Sequence, residues 1–206
     1  MATNIDAPSG LRYVGNLCGG PCSAQVWKCN IPSSDTDNWF IGDPVVISGA
    51  LTDTTGMYPG VDLASDGDGN PISGVVMSFE PPTGYENYKY RLGSVTWKVN
   101  VCFDPFAIFE IQTDDDGTTS WTYDDVWLNA CLESAGAGSI YTGLSGWELD
   151  GSDAPAADSS NQVMLLGLAN YPDNVTATAH SKWKVYLSHH QLSECTTAGD
   201  GVLGVG

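Results

Sequence analysis

Long apolar runs are missing from this chain: the longest candidate, residues 163–169, is broken by Gly167, well short of the ~18 residues a helix needs to cross a bilayer. A helical membrane span is excluded on that ground. Positive charge is scarce as well, with 7 Lys plus Arg against 25 Asp plus Glu and a formal net charge of −18. No basic face is therefore available for direct contact with nucleic acid. The opening residues, Met1-Ala2-Thr3-Asn4-Ile5-Asp6, hold neither the positive nor the apolar stretch of a secretory signal, so synthesis in a cytoplasm is expected. There glutathione keeps Cys18, Cys22, Cys29, Cys102, Cys131 and Cys195 as thiols, and any pairing follows later, outside a cell. Helical signals are few. Residues 123–134 hold Val126, Trp127, Ala130 and Cys131 at helical spacing, but a short helix and a strand fit equally well.

What the 206 residues do contain is turn chemistry and short β-prone runs, with 24 Gly, 11 Pro and 42% hydrophobic residues. Val95-Thr96-Trp97-Lys98-Val99-Asn100-Val101 alternates strictly and predicts a half-buried antiparallel strand with Trp97 inward. Lys182-Trp183-Lys184-Val185-Tyr186-Leu187 alternates again, with Trp183, Val185 and Leu187 inward and both lysines outward. Residues 107–112 predict another strand, which the Asp114-Asp115-Asp116-Gly117 turn joins to residues 119–123 as a hairpin. Trp39-Phe40-Ile41, Val45-Val46-Ile47 and residues 72–79 complete the strand candidates. The pattern predicts an all-β fold, an antiparallel β-sandwich or barrel. Residues 1–35, punctuated by Pro8, Gly10, Gly15, Gly19, Gly20, Pro21 and Pro32, read as an extended N-terminal arm. The main β domain is expected over 36–193, and the Gly- and Thr-bearing stretch 194–206 reads as an irregular C-terminal tail.

Motifs for chemistry fall short of their signatures. Asp66-Gly67-Asp68-Gly69-Asn70 opens like a calcium loop, but Pro71 stands where Gly is required and Met77 where a bidentate Glu belongs. The stretch 114–125 places Asp114, Asp116 and Asp125 suitably and then puts Thr119 at the Gly position. Cys18, Cys22 and Cys29 with His180, His189 or His190 offer soft ligands without zinc spacing, and small buried thiols are the expectation. Gly143-Leu144-Ser145-Gly146 lacks the nucleophile-elbow spacing, His189-His190 reads as ordinary, and 25 acids make some close carboxylate pair inevitable. No catalytic residue, cofactor or metal site is expected. Trp97 and Trp183 are expected in the core, whereas Tyr85, Tyr88, Tyr90, Trp121 and Trp147 flank polar turns and offer faces for a partner, including a host-surface glycan. Asn174-Val175-Thr176 is a sequon without a secretory route.

Several of these stretches, taken in order, carry a resemblance. Phe40-Ile41-Gly42-Asp43-Pro44-Val45, Ile72-Ser73-Gly74-Val75-Val76, Phe79-Glu80-Pro81, Tyr90-Arg91 and Phe109-Glu110-Ile111-Gln112 resemble a family of small structural proteins of tailed bacteriophages. The similarity continues through Leu128-Asn129-Ala130, residues 142–150, Leu165-Leu166-Gly167-Leu168, Pro172-Asp173-Asn174 and Lys182-Trp183. It implies a virion protein that decorates or cements a capsid, and it brings no catalytic residues. The six cysteines and the C-terminal tail depart from the family pattern. An arm, a rigid β core and a tail suit a protein that straps neighbouring shell subunits, with the major capsid protein as partner. A closed trimer at a local threefold position is the expected unit, and a charge of −18 places it on the outer face, away from packaged DNA. An arm without its own core gains stability from a partner, which nominates Asp6, Pro8, Leu11, Arg12, Tyr13, Leu17 and Trp27 as interface residues.

Overall fold

A computed structural model describes residues 4–19, 25–114, 121–134 and 136–193. The strands are β1 (Arg12–Asn16), β2 (Val26–Ile31), β3 (Pro44–Ile47), β4 (Val61–Leu63), β5 (Gly74–Glu80) and β6 (Trp97–Cys102). They continue with β7 (Ala107–Gln112), β8 (Asn129–Ala130), β9 (Leu132–Ser134), β10 (Trp147–Leu149), β11 (Val163–Leu168) and β12 (Lys182–Leu187). One five-stranded sheet runs β1-β7-β12-β11-β8, a second runs β2-β6-β5-β3-β4, and β9 and β10 form a separate pair. The ladders are antiparallel, and the all-β sandwich expected from alternation is what the chain adopts.

The two-residue period of a strand explains how the cores divide. In the first sheet Phe109 opposes Val185 and Ile111 opposes Trp183, while Val185 and Leu187 oppose Leu165 and Val163 of β11. These side chains share one face and meet Ile72, ahead of β5, and Val75 and Cys102 of the second sheet in the sandwich core. Neighbouring residues Val76 and Val101 necessarily face the other way. There they join Cys29, Ile31, Val45, Val61, Val99 and Trp39 in a second apolar cluster, all fully buried. The second sheet encloses that cluster by curling until its outer strands meet: Asn30 bridges Gly60, and the Asn30 N–H donates to the Pro59 carbonyl at 2.8 Å. The fold is thus one open five-stranded sheet packed against a second that closes nearly into a barrel.

Several expectations are corrected. Residues 12–16 and 26–31 do not lie outside the domain; β1 is an edge strand of the first sheet and β2 lies next to β6 in the second. Leu11, 1% exposed, is part of the sandwich core. Gly15 sits at a bulge within β1 and Pro32 follows the end of β2, so neither signals a loose arm. β7 pairs with β1 and β12, so no hairpin joins it to residues 121–123, which lead into a 3-10 turn at Tyr123–Asp125. Of the two readings open for residues 123–134, the strand is the one found at 129–134, as β8 and β9. Trp39-Phe40-Ile41 makes isolated bridges only, to Arg91 and Leu144. Trp121 and Trp147 are buried, at 3% and 6% exposure, and offer no face to a partner. Cys22, Cys195, the turn residues 115–117 and the tail 194–206 lie outside the described residues.

Backbone packing between the N-terminal segment and the body is close. Gly10 has φ +61°, and a Cβ there would stand 2.5 Å from the Ser145 Cβ and 2.6 Å from the Gly42 carbonyl oxygen. Only glycine fits that crossing. Asn4 then pins the segment's start: its amide donates to the Val175 and Ala179 carbonyls and to the Thr178 hydroxyl, and its oxygen accepts the Val175 N–H at 3.0 Å.

Candidate functional site: the outer face of the first sheet

The face of the first sheet turned away from the core carries alternate residues of β7 and β12, and the order of those residues divides it. Toward one end Lys184 opposes Glu110 and Lys182 opposes Gln112. Toward the other, the same faces continue as Tyr186 and Ile108, and Met164 opposes Tyr186. The outer face is therefore half charged and half apolar.

Over the charged half, the segment from Asn4 to Arg12 and the loop around residues 171–180 enclose a cleft of about 480 Å³ lined by Arg12, Glu110, Tyr171, Asp173, His180 and Lys182, among others. Arg12 Nη2 pairs with Glu110 Oε1 at 2.7 Å and donates to the Tyr171 hydroxyl at 2.6 Å; that hydroxyl donates in turn to Glu110 Oε2 at 2.9 Å. With the Arg12 side chain 55% exposed, the ion pair adds little stability and serves to fix orientation. Deeper in the segment, the Gln112 amide nitrogen donates to Asp6 Oδ1 at 3.2 Å and to Glu148 Oε1 at 2.6 Å, while its oxygen accepts the Ala7 N–H at 3.1 Å. Ligand atoms of Asp6, Glu148 and His180 all lie within 4.8 Å of one another.

The apolar half holds a groove of about 320 Å³ lined by Leu17, Pro105, Phe106, Trp127, Met164, Leu166, Tyr186, Leu187 and Ser193. None of these residues is charged. Leu17, Phe106 and Trp127 are large side chains left about half exposed, an arrangement that marks an interaction surface more often than an ordinary patch.

The seven nominated residues scatter across this geometry. Asp6 and Arg12 belong to the charged half, and Leu17 lines the apolar groove. Pro8 is exposed beside them. Leu11 is in the core, and Tyr13 is half-buried with its ring edge-on to Phe109 at 6.1 Å, so both serve the chain's own packing. Trp27 stands on the other sheet, 64% exposed and edge-on to Phe103. Alternation along β7 and β12 was the signal for Glu110 and Tyr186. No local signal places Glu148, His180, Phe106 or Trp127, which arrive from loops and from β10.

The remaining motifs take structural roles. His189 and His190 are buried, the first with its Nδ1 3.1 Å from the Ser160 carbonyl and the second accepting the Leu192 N–H at 3.1 Å. Asn174 spends its amide on the Ala169 and Lys182 carbonyls and accepts the Lys182 N–H, so the sequon asparagine works as a backbone staple. Tyr85, Tyr88 and Tyr90 pack on one another, and Tyr90 stacks on Phe40 at 5.2 Å. Asp66-Gly67-Asp68-Gly69-Asn70 is a turn with both glycines at positive φ, and Asp114 converges with Glu133 and Asp150. Cys29 is enclosed in the barrel while Cys18 is exposed, so those two do not share a ligand set.

The architecture defines an antiparallel β-sandwich protein whose distinguishing surface is this divided face. No protein family, no curated protein and no solved structure matches the chain.

Proposed function

We propose that the protein is a bacteriophage capsid decoration, or cement, protein that docks on the outer surface of the major capsid shell, as a trimer at local threefold positions. The observation that carries this reading is the uncharged groove of Leu17, Phe106, Trp127, Met164 and Leu166 on a chain of net charge −18. A highly acidic surface discourages non-specific association, and an apolar recess within it supplies the well-packed, desolvated contact that holds a specific interface together. The sequence resemblance supplies the class of partner; the groove supplies the surface. The charged half of the same face then sits beside the contact as a polar rim.

Deleting residues 1–35 is no test of docking, since it removes β1 and β2 together. A substitution in the groove is. Phe106 is exposed, so Phe106→Asp leaves the core intact and puts a charge where a shell would seat. Wild-type protein added to bare, expanded shells should co-sediment in a fixed saturating ratio and raise the shells' thermal survival. Phe106→Asp should weaken that binding at least tenfold. Absence of wild-type binding would overturn the proposed role, and equal binding by the variant would overturn the groove as the contact.

A further inference from the structure

We propose that Asp6, Glu148 and His180 bind one divalent first-row transition ion of the Zn²⁺ or Mn²⁺ type, and that this ion fastens the N-terminal segment to the body of the sandwich. The three residues come from the segment ahead of β1, from β10 and from the loop ahead of β12, so an ion held by all three links parts of the chain far apart in sequence. Their ligand atoms already lie within 4.8 Å of one another. Two ligands about 2.1 Å from a tetrahedral ion stand about 3.4 Å apart, and His180 Nδ1 lies 3.8 Å from Asp6 Oδ1. That separation is too long for a hydrogen bond and near the spacing of two ligands on one metal.

An independent observation concerns the imidazole. His180 Nδ1 is sealed from solvent and makes no hydrogen bond, an expensive state for a buried nitrogen and the one in which a lone pair is free for a metal. The carboxylates are held ready by a shared donor, because Gln112, itself buried, gives its amide hydrogens to both Asp6 and Glu148. Such outer contacts are what orient metal-binding carboxylates in built sites. Asp6 is the ligand with room to close the remaining distance, its side chain being 65% exposed, while Glu148 is buried and fixed. One imidazole with two carboxylates suits zinc or manganese better than the all-oxygen cages of calcium. This inference concerns the chain alone and is independent of the docking reading.

The test uses the full chain. Mn²⁺ is the first probe, because thiolates bind it poorly and the exposed Cys18 then does not compete. Electron paramagnetic resonance should count one bound Mn²⁺ per chain, and the bound ion should selectively broaden the His180 imidazole signals in the NMR spectrum. Asp6→Asn should weaken binding at least tenfold, and so should His180→Gly, a replacement suited to the φ of +58° at that position. Since Asp6 is exposed, its variant keeps the test informative if His180→Gly fails to fold. Glu133→Gln, which alters the other carboxylate group, should leave binding unchanged. Lack of a stoichiometric Mn²⁺ or Zn²⁺ site would overturn the proposal, as would full binding in Asp6→Asn or loss in Glu133→Gln alone.

Discussion

Asp43 shows how one residue's surroundings set a property of the whole fold. Burial pushes its carboxyl up to about 6, and hydrogen bonds from the Ser145 hydroxyl and the Phe40 N–H, the latter at 2.7 Å, only partly offset that. An unfolded aspartate titrates near 3.9. The folded state therefore holds the proton more tightly, and the stability from that proton is complete below about pH 4 and lost as pH rises through about 6. Asp43→Asn keeps an oxygen acceptor and has no proton to lose. Urea unfolding of both proteins from pH 4 to 7 should show the difference in their stabilities changing by on the order of 3 kcal/mol across that interval, with the variant gaining as pH rises. A constant difference would mean that the Asp43 carboxyl titrates alike in both states. Nothing in Phe40-Ile41-Gly42-Asp43-Pro44 announces this, because burial is set by tertiary packing and the hydroxyl partner, Ser145, is distant in sequence.

Elements were legible where one face is buried and one is wet. β6 and β12 followed from alternation alone, with Trp97, Val99, Val101, Trp183, Val185 and Leu187 buried as their positions require. Alternation does not report which neighbour a strand finds, so β1 and β2 read as an arm although each pairs along its length with a strand of the domain, β7 and β6 respectively. The short elements β8 to β10 carry too few residues for any period to show. The candidate site suffered most, since its charged half depends on loops and on Glu148. At this scale the loop of residues 32–38 is gathered around one buried side chain. Arg91 is fully buried; it pairs with Asp35 Oδ1 at 2.9 Å and donates to the carbonyls of Pro32, Asp35, Asp37 and Val95. Replacing it by Met removes the cation beside a largely buried carboxylate and the donor to the Asp37 and Val95 carbonyls. The Asp37 N–H still reaches Asp35 Oδ1, and the Asp35 and Ser94 N–H groups still reach the Pro32 and Asp35 carbonyls. The substitution should cost about 3–5 kcal/mol in chemical denaturation. A loss below about 1 kcal/mol would show that water substitutes freely for the guanidinium.

The molecule as a whole has two apolar clusters and one shared wall between them. Val75 and Val76 sit side by side on β5 and face different clusters, so the strand cannot leave one without opening the other. Cysteines report on both: Cys29 lies in the barrel cluster and Cys102 in the sandwich core, and burial pushes Cys29 up to about 12 and raises Cys102. Among the described cysteines a thiol reagent at neutral pH should modify Cys18 alone in the native protein. In rising denaturant, Cys29 and Cys102 should become reactive at one common midpoint, read by mass spectrometry of the labelled peptides. Separate midpoints would divide the sandwich into independent halves. The handling of strand edges has a consequence of its own. The second sheet closes on itself through Asn30 and Gly60, β1 is bulged between Tyr13 and Gly15, and the two-residue β8 is capped by the bridge from Asn129 to Ala156. A bulged or capped strand is a poor template for another chain to extend, so these edges resist edge-to-edge polymerisation into fibres.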